Sequence, residues 1–297
     1  MLYAKKPIQQ KRLEFRAALQ KNKLLRFPGA FSPLVAMLIE QMGFDGIYIS
    51  GGVLSNDLGL PDIGLTTLSE VSQRGRAIAR VSDLPAIIDI DTGFGEPMNV
   101  ARTIQEMEEL GLCGCHIEDQ VHPKRCGHLD NKVLVDTDTM VKKIKAAAVA
   151  RRDPNFVLIA RTDARATEGL PQAIDRAKAY VNAGADMIFP EALQDEAEFQ
   201  EFRSAMPVPL LANMTEFGKT KLLSYKTLQE LGYNIVIYPV TTLRLAMQAV
   251  EEGLADILSK GTQEELLSKM QHRKRLYEIL RYQDYNRFDN DIFNFKL

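Results

Sequence analysis

The chain of 297 residues has no tryptophan and only three cysteines. Thiols so few, and odd in number, exclude a disulfide framework and point to a reducing compartment. No run of about 18 apolar residues occurs, so no membrane-spanning helix is expected. Residues 1–6 lead into a charged helical pattern and not into the apolar core of a signal peptide, so the chain reads as cytoplasmic. Charge of one sign is also scarce: 37 Lys and Arg against 39 Asp and Glu leave a net charge of −2. That balance excludes the basic field by which a protein holds nucleic acid or an anionic membrane. No low-complexity stretch and no Gly/Ser/Pro-rich linker divides the chain.

What is present is a cadence. A polar-faced helical segment ends near a glycine, and a short apolar run follows that stops at polar residues. Gly43, Gly111, Gly184 and Gly232 lead in this way to apolar runs at 46–49, 114–117, 186–189 and 234–238. The glycine suits a helix C-cap, and the short two-sided apolar run suits a buried parallel strand. Runs at 25–27, 86–88, 156–160 and 208–211 bring the number to eight, with amphipathic helical segments such as 100–110 and 172–182 between them. Eight βα units without a linker predict an α/β fold, a closed (β/α)8 TIM-type barrel in one domain spanning 1–297. A doubly wound open sheet is the alternative. Beyond about Gly253, residues 262–282 read as one long charged helix. It exceeds what an eighth barrel helix needs and is expected to dock on a neighbouring subunit.

In such barrels the chemistry gathers at the C-terminal ends of the strands, and these runs end in groups suited to a polyanion and a hard metal. Asp89 and Asp91 lie two apart and so face one side of a strand. With Glu118 and Asp62 they offer only carboxylate oxygens, a set that favours Mg²⁺ or Mn²⁺ over zinc. A plainer reading makes these acids N-caps of the helices that follow. A zinc reading draws on Cys113, Cys115, His116, His122, Cys126 and His128, but their spacing fits no common zinc pattern. Cys126 is the candidate reactive thiol, on a loop beside Lys124 and Arg125. At an ordinary pKa of about 8.5 it is mostly protonated and can donate a proton, while nearby cations equally favour a nucleophilic thiolate. Ser50, Gly51 and Gly52 suit a cradle for a carboxylate or phosphate, or an ordinary βα turn. Gly93-Phe94-Gly95 lacks the third glycine of a dinucleotide fingerprint, which argues against NAD. His272 reads as a surface residue.

Tyr48-Ile49-Ser50-Gly51-Gly52, Leu60-Pro61-Asp62, Asp89-Ile90-Asp91-Thr92-Gly93-Phe94-Gly95 and His116-Ile117-Glu118-Asp119-Gln120 occur in order. Lys124-Arg125-Cys126-Gly127-His128, Arg161-Thr162-Asp163, Phe189-Pro190-Glu191 and Asn213-Met214-Thr215-Glu216-Phe217-Gly218 follow. Over nearly the whole chain this resembles the isocitrate lyase / phosphoenolpyruvate mutase superfamily, most closely its 2-methylisocitrate lyase branch. The resemblance implies a (β/α)8 barrel whose eighth helix is exchanged between subunits of a homotetramer, a dimer of dimers. It also implies Mg²⁺-dependent cleavage of a small tricarboxylate, 2-methylisocitrate, to pyruvate and succinate in the methylcitrate cycle of propionate catabolism.

By the same resemblance, Asp89 and Asp91 hold the metal, with Asp62 and Glu118 assisting. Ser50, Gly51 and Gly52 receive the pyruvate-half carboxylate, Arg161 and Arg244 neutralise carboxylates, and Asn213 and Thr215 orient the succinate half, with Met214 also among the substrate-binding residues. Arg273 adds a contact from the exchanged helix. Glu191 positions the hydroxyl and its proton, and Cys126, with Gly127 beside it, protonates the succinate carbanion. Phe189 and Ile237 are expected to form an apolar wall for the substrate methyl. The same frame serves 2,3-dimethylmalate lyase and oxaloacetate hydrolase. A non-catalytic dicarboxylate-binding barrel is the alternative from another class.

Overall fold

A computed structural model describes residues 4–127 and 131–293, so His128 lies outside the described residues. Helix α1 (Ile8–Leu19) precedes β1 (Leu25–Pro28), α2 (Pro33–Gln41) and β2 (Ile47–Ile49). Helices α3 (Gly51–Asp57) and α4 (Leu68–Ala79) lead to β3 (Ala86–Asp89), α5 (Pro97–Glu109), β4 (Gly114–Glu118) and α6 (Thr137–Ala150). Then come β5 (Val157–Thr162), α7 (Ala164–Thr167), α8 (Leu170–Asn182), β6 (Met187–Pro190), α9 (Glu196–Ala205) and β7 (Leu211–Asn213). Helix α10 (Tyr225–Glu230), β8 (Ile235–Tyr238), α11 (Thr241–Lys260), a 3-10 turn (Glu264–Lys269), α12 (Arg273–Ile279) and α13 (Tyr282–Phe293) complete the chain.

Each of the eight apolar runs contributes to a strand. Parallel ladders join β2 through β6 in chain order and link β1, β8 and β7. Single parallel bridges between Gly29 and Tyr48 and between Ile188 and Leu210 connect the two sets. The ring therefore closes in the order 1 to 8: a (β/α)8 barrel and not an open sheet. Strand β7 begins at Leu211 and not at residue 208. Pro209 has no N–H to donate and enters only through its carbonyl, which accepts from Ile188 N–H at 3.1 Å.

The period of two along each strand sorts the core into two layers. Inward residues Phe27, Tyr48, Ile87, Ile159, Phe189, Leu211 and Ile237 fill the barrel, and Phe15 and Leu19 of α1 join the same cluster. Helix α1 thus closes the N-terminal end. Outward residues Ile49, Ile88, Ile117, Leu158, Ile188 and Val236 pack against Val71, Ile104, Met140, Ala177 and Phe202 of the surrounding helices. The interior is tight: a Cβ on Gly46 would stand 2.1 Å from the Phe27 ring.

The C-terminal segment is not one long helix. Helix α11 runs unbroken across residue 253 and stops at Gly261, whose φ of +72° gives a left-handed C-cap. A 3-10 turn and extended Met270 separate it from α12, and Arg281 at φ +55° separates α12 from α13. Ile279 of α12 is buried, and Gln41 of α2 donates to its carbonyl at 3.3 Å, so this helix packs on its own chain. Helices α11 and α13, by contrast, bury no residue. Among the described residues no helix is long and apolar enough to cross a membrane.

Candidate active site

The inward register that fills the barrel with apolar side chains continues past the strand ends and changes chemistry there. Tyr48 is followed two residues on by Ser50, Ile87 by Asp89 and Asp91, and His116 by Glu118. Ile159 is followed by Arg161 and Asp163, Phe189 by Glu191, and Leu211 by Asn213 and Thr215. Their convergence forms a cavity of about 160 Å³ whose walls include Ser50, Gly52, Asp62, Asp89, Cys126, Gly127, Arg161, Glu191, Asn213, Thr215 and Arg244. Tyr48, Asn56, Lys124, Phe189 and Val240 line it too.

Asp89, Asp91 and Glu118 are each 5% exposed or less. None caps a helix; the N-caps of α5 and α6 are Glu96 and Asp136. Asp89 accepts from Asp91 N–H at 2.9 Å and from Gly51 N–H at 3.2 Å. Asp91 itself has φ +46°, a costly conformation for a residue with a side chain. The Lys124 ammonium pairs with Asp62 and lies 2.9 Å from Asp91 Oδ1. Burial pushes the Asp91 carboxyl up to about 6 against the pull of Lys124, with Asp89 adding to the rise. Burial likewise holds Glu118 well above the usual carboxylate range, opposed by Arg161.

Among the described residues no three His, Cys, Asp or Glu side chains stand as a preassembled metal cage. The donor chemistry nevertheless fits a hard divalent cation. Asp91 Oδ1 and both Glu118 oxygens are buried without a well-aligned hydrogen bond, their charge met by Lys124 and Arg161, and this all-oxygen set suits a hard divalent cation. The glycines beside them are needed for space: a Cβ on Gly51 would lie 3.1 Å from both Asp89 and Asp91, and one on Gly52 would lie 3.0 Å from Asp62. Ser50 also caps α3, accepting from Val53 N–H at 3.4 Å, so this segment forms a βα turn at the cavity wall.

Arg161 is surrounded by acids. Its guanidinium donates to both Asp163 oxygens at 3.0 and 3.2 Å and lies 3.3 Å from Glu118 and 3.2 Å from Glu191. It also stacks over Phe189, 5.2 Å from the ring centroid. Asn213 donates to Glu191 at 3.3 Å. Arg244, from the first turn of α11, is held by Glu216 through its backbone carbonyl at 2.7 Å and its carboxylate at 2.8 Å. Gln120 clamps Arg125, donating to its carbonyl at 2.8 Å and accepting from its N–H at 2.9 Å, which fixes the chain next to Cys126.

Two expected contacts are placed elsewhere. Met214 faces the outer core, where its sulfur accepts from Leu223 N–H at 3.2 Å, because it is out of phase with inward Asn213 and Thr215. Ile237 lies in the barrel interior, and of the expected apolar wall only Phe189 lines the cavity. Arg273 lines a separate surface cavity with Tyr277 and Arg281 and does not reach the site of its own chain. The thiols of Cys113 and Cys115 are core groups; burial lifts Cys113 to about 11 and Cys115 further.

Sequence reading did not single out Lys124 as a partner of the acids, though it stands in the string around Cys126. It missed Lys132 altogether. The Lys132 ammonium donates to Asp163 Oδ1 at 2.7 Å and to the Gly127 carbonyl. Nothing in the local sequence marks it.

A family model described as phosphoenolpyruvate phosphomutase matches residues 15–258. A Corynebacterium glutamicum protein named probable 2-methylisocitrate lyase 1 is 62% identical over 290 residues, covering 97% of this chain and 95% of that one. The crystal structure of a 2,3-dimethylmalate lyase superposes with a TM-score of 0.89 at 33% identity, covering 95% of both chains. That of a phosphonopyruvate hydrolase with oxalate and Mg²⁺ gives 0.84 at 34% identity, covering 95% of this chain and 98% of that one. The chain therefore belongs to the phosphoenolpyruvate mutase / isocitrate lyase superfamily and, within it, to the 2-methylisocitrate lyase branch of carbon–carbon lyases.

Proposed function

We propose that the chain cleaves 2-methylisocitrate to pyruvate and succinate with Mg²⁺, or Mn²⁺ in its place, as a cytoplasmic step of the methylcitrate cycle. The observation that carries this reading is one cavity lined by Asp62, Asp89 and Glu191, by Arg161 and Arg244, and by the partly exposed thiol of Cys126, with buried Asp91 and Glu118 paired to the Lys124 and Arg161 of that lining. Asp89 and Asp91, assisted by Glu118 and Asp62, hold the cation, whose chemistry is Lewis-acid polarisation of substrate oxygens.

The remaining work falls to the chain. Backbone N–H groups and the hydroxyl of Ser50, Gly51 and Gly52 receive the carboxylate of the pyruvate half. Arg161 and Arg244 neutralise carboxylates, and Asn213 and Thr215 orient the succinate half. Glu191, beside Arg161 and Asn213, holds the hydroxyl and its proton. The bond between the hydroxyl-bearing carbon and its neighbour breaks, and its electron pair goes to the succinate carbon. The hydroxyl carbon becomes the ketone of pyruvate, and the Cys126 thiol gives its proton to the succinate carbanion.

Helix α11 leaves Leu254 and Leu258 exposed, the latter by 90%, and α13 leaves Phe293 exposed. An apolar face of this kind suits a subunit interface. We assign it to a neighbouring copy in a homotetramer, with 253–297 as the docking extension and Arg273 reaching that copy's site.

A panel of substrates tests the assignment. The specificity constant for 2-methylisocitrate should exceed that for isocitrate by about 10–200-fold, the discrimination one methyl supplies against Phe189. It should exceed those for 2,3-dimethylmalate and oxaloacetate as well. Preference for either of the latter would move the substrate and keep the site.

A further inference from the structure

Lys132 is buried against Asp163, 31 positions away in the chain. The chain segment that carries Cys126 rises from a short antiparallel stem: Val121 N–H donates to Val133 O at 2.8 Å, and Val135 N–H to Asp119 O at 2.9 Å. Lys132 stands directly beside that stem and turns its ammonium inward, where it is 7% exposed. Asp163 Oδ1, fully buried, accepts from it at 2.7 Å and also from Arg161 at 3.2 Å. Asp163 is itself fixed, since its N–H donates to Asp119 Oδ1 at 2.9 Å. Asp119 Oδ2 in turn accepts from Thr162 at 2.7 Å and Tyr180 at 2.8 Å.

The second contact of Lys132 is the carbonyl of Gly127, the residue after Cys126. Gly127 rests directly on the substrate-binding pair: a Cβ there would lie 2.3 Å from Arg161 Nη2 and 2.6 Å from Glu191 Cγ. One ammonium thus ties the backbone next to the thiol to the same carboxylate that orients Arg161. Charge-assisted hydrogen bonds of this kind, away from water, fix geometry more strongly than neutral ones.

We propose that Lys132 is a positioning residue that holds Cys126 in register with Arg161 by tying the Gly127 carbonyl to Asp163. The inference rests on the reading of Cys126 as the proton donor, but its test does not need turnover. Cys113 and Cys115 are fully buried, so alkylation of the native protein by iodoacetamide reports on Cys126. In Lys132→Met, Asp163 keeps its two bonds to Arg161, and the alkylation rate should rise about ten-fold, the ratio that loss of one such bond allows. The kcat should fall about ten- to a hundred-fold with KM changed less than about three-fold, as a misplaced reacting group predicts. Lys132→Gln, which keeps a donor without the charge, should fall between the two on both readouts and serves if the methionine variant does not fold. An alkylation rate within two-fold of wild type in a folded variant would overturn the proposal, whatever happens to kcat. If the wild-type chain proved inactive as a lyase, the labelling rates would still decide the role of Lys132.

Discussion

At the N-terminal end of the barrel, Phe15 and Leu19 of α1 pack on Leu25, Val157 and Met187. The charges on that helix are satisfied by the turns that enter the strands: Lys11 donates to Ser82 O and Arg12 to Leu112 O, each at 2.8 Å. At the C-terminal end the same inward positions carry Asp89, Asp91, Glu118, Arg161 and Glu191, with left-handed backbone at Asp91 and Ala192 and buried carboxylates crowded around Lys124 and Arg161. One end is filled and satisfied; the other is charged and strained. The contrast shows how a barrel maintains an unfavourable site: the apolar plug and walls supply stability, and the loops at the far end carry the strain of chemistry.

The sharpest way to break that division is to exchange effects between the two ends. Cys126→Ser should lower turnover about 10²–10⁴-fold, read by steady-state kinetics, while the melting temperature stays at the wild-type value. Phe15→Ala should do the reverse. Urea unfolding should show a loss of about 3–5 kcal/mol, with kcat per folded molecule unchanged. Turnover lost in Phe15→Ala without loss of stability would mean that the plug and the site are not separable.

Gly127→Ala places a methyl against Arg161 and Glu191 and should cost about a hundred-fold in kcat, again with little change in the melt. The smallest effect is expected at Met214. Met214→Leu conserves volume in the outer core, so it should cost less than about 1.5 kcal/mol and leave KM alone. A raised KM in that variant would return Met214 to the substrate.

Much of this contrast is legible in the chain because the barrel repeats one rule. A period of two along each strand, read past the apolar run, delivers Asp89, Glu118, Arg161 and Glu191 to one place without knowledge of the turns. Where the rule stops, so does the reading. Pro209 shifts β7 by removing a ladder donor, and Met214 falls between two inward residues, so its place in the motif does not reveal that it faces outward. The C-terminal segment breaks at Met270 and Arg281, neither a glycine nor a proline, so its charged periodicity reads as continuous. Lys124 and Lys132 reach their carboxylates across loops whose path depends on tertiary contacts. The pairing of Lys132 with Asp163, 31 positions away, has no local signature.

The central claim is that the charged end of this barrel is a metal-assisted carbon–carbon lyase site. The most direct measurement is to incubate the purified protein with 2-methylisocitrate and Mg²⁺ and to quantify pyruvate and succinate with and without EDTA. The account predicts equal amounts of both products and their loss in EDTA. Undiminished cleavage in EDTA, or no cleavage with Mg²⁺ present, would contradict it.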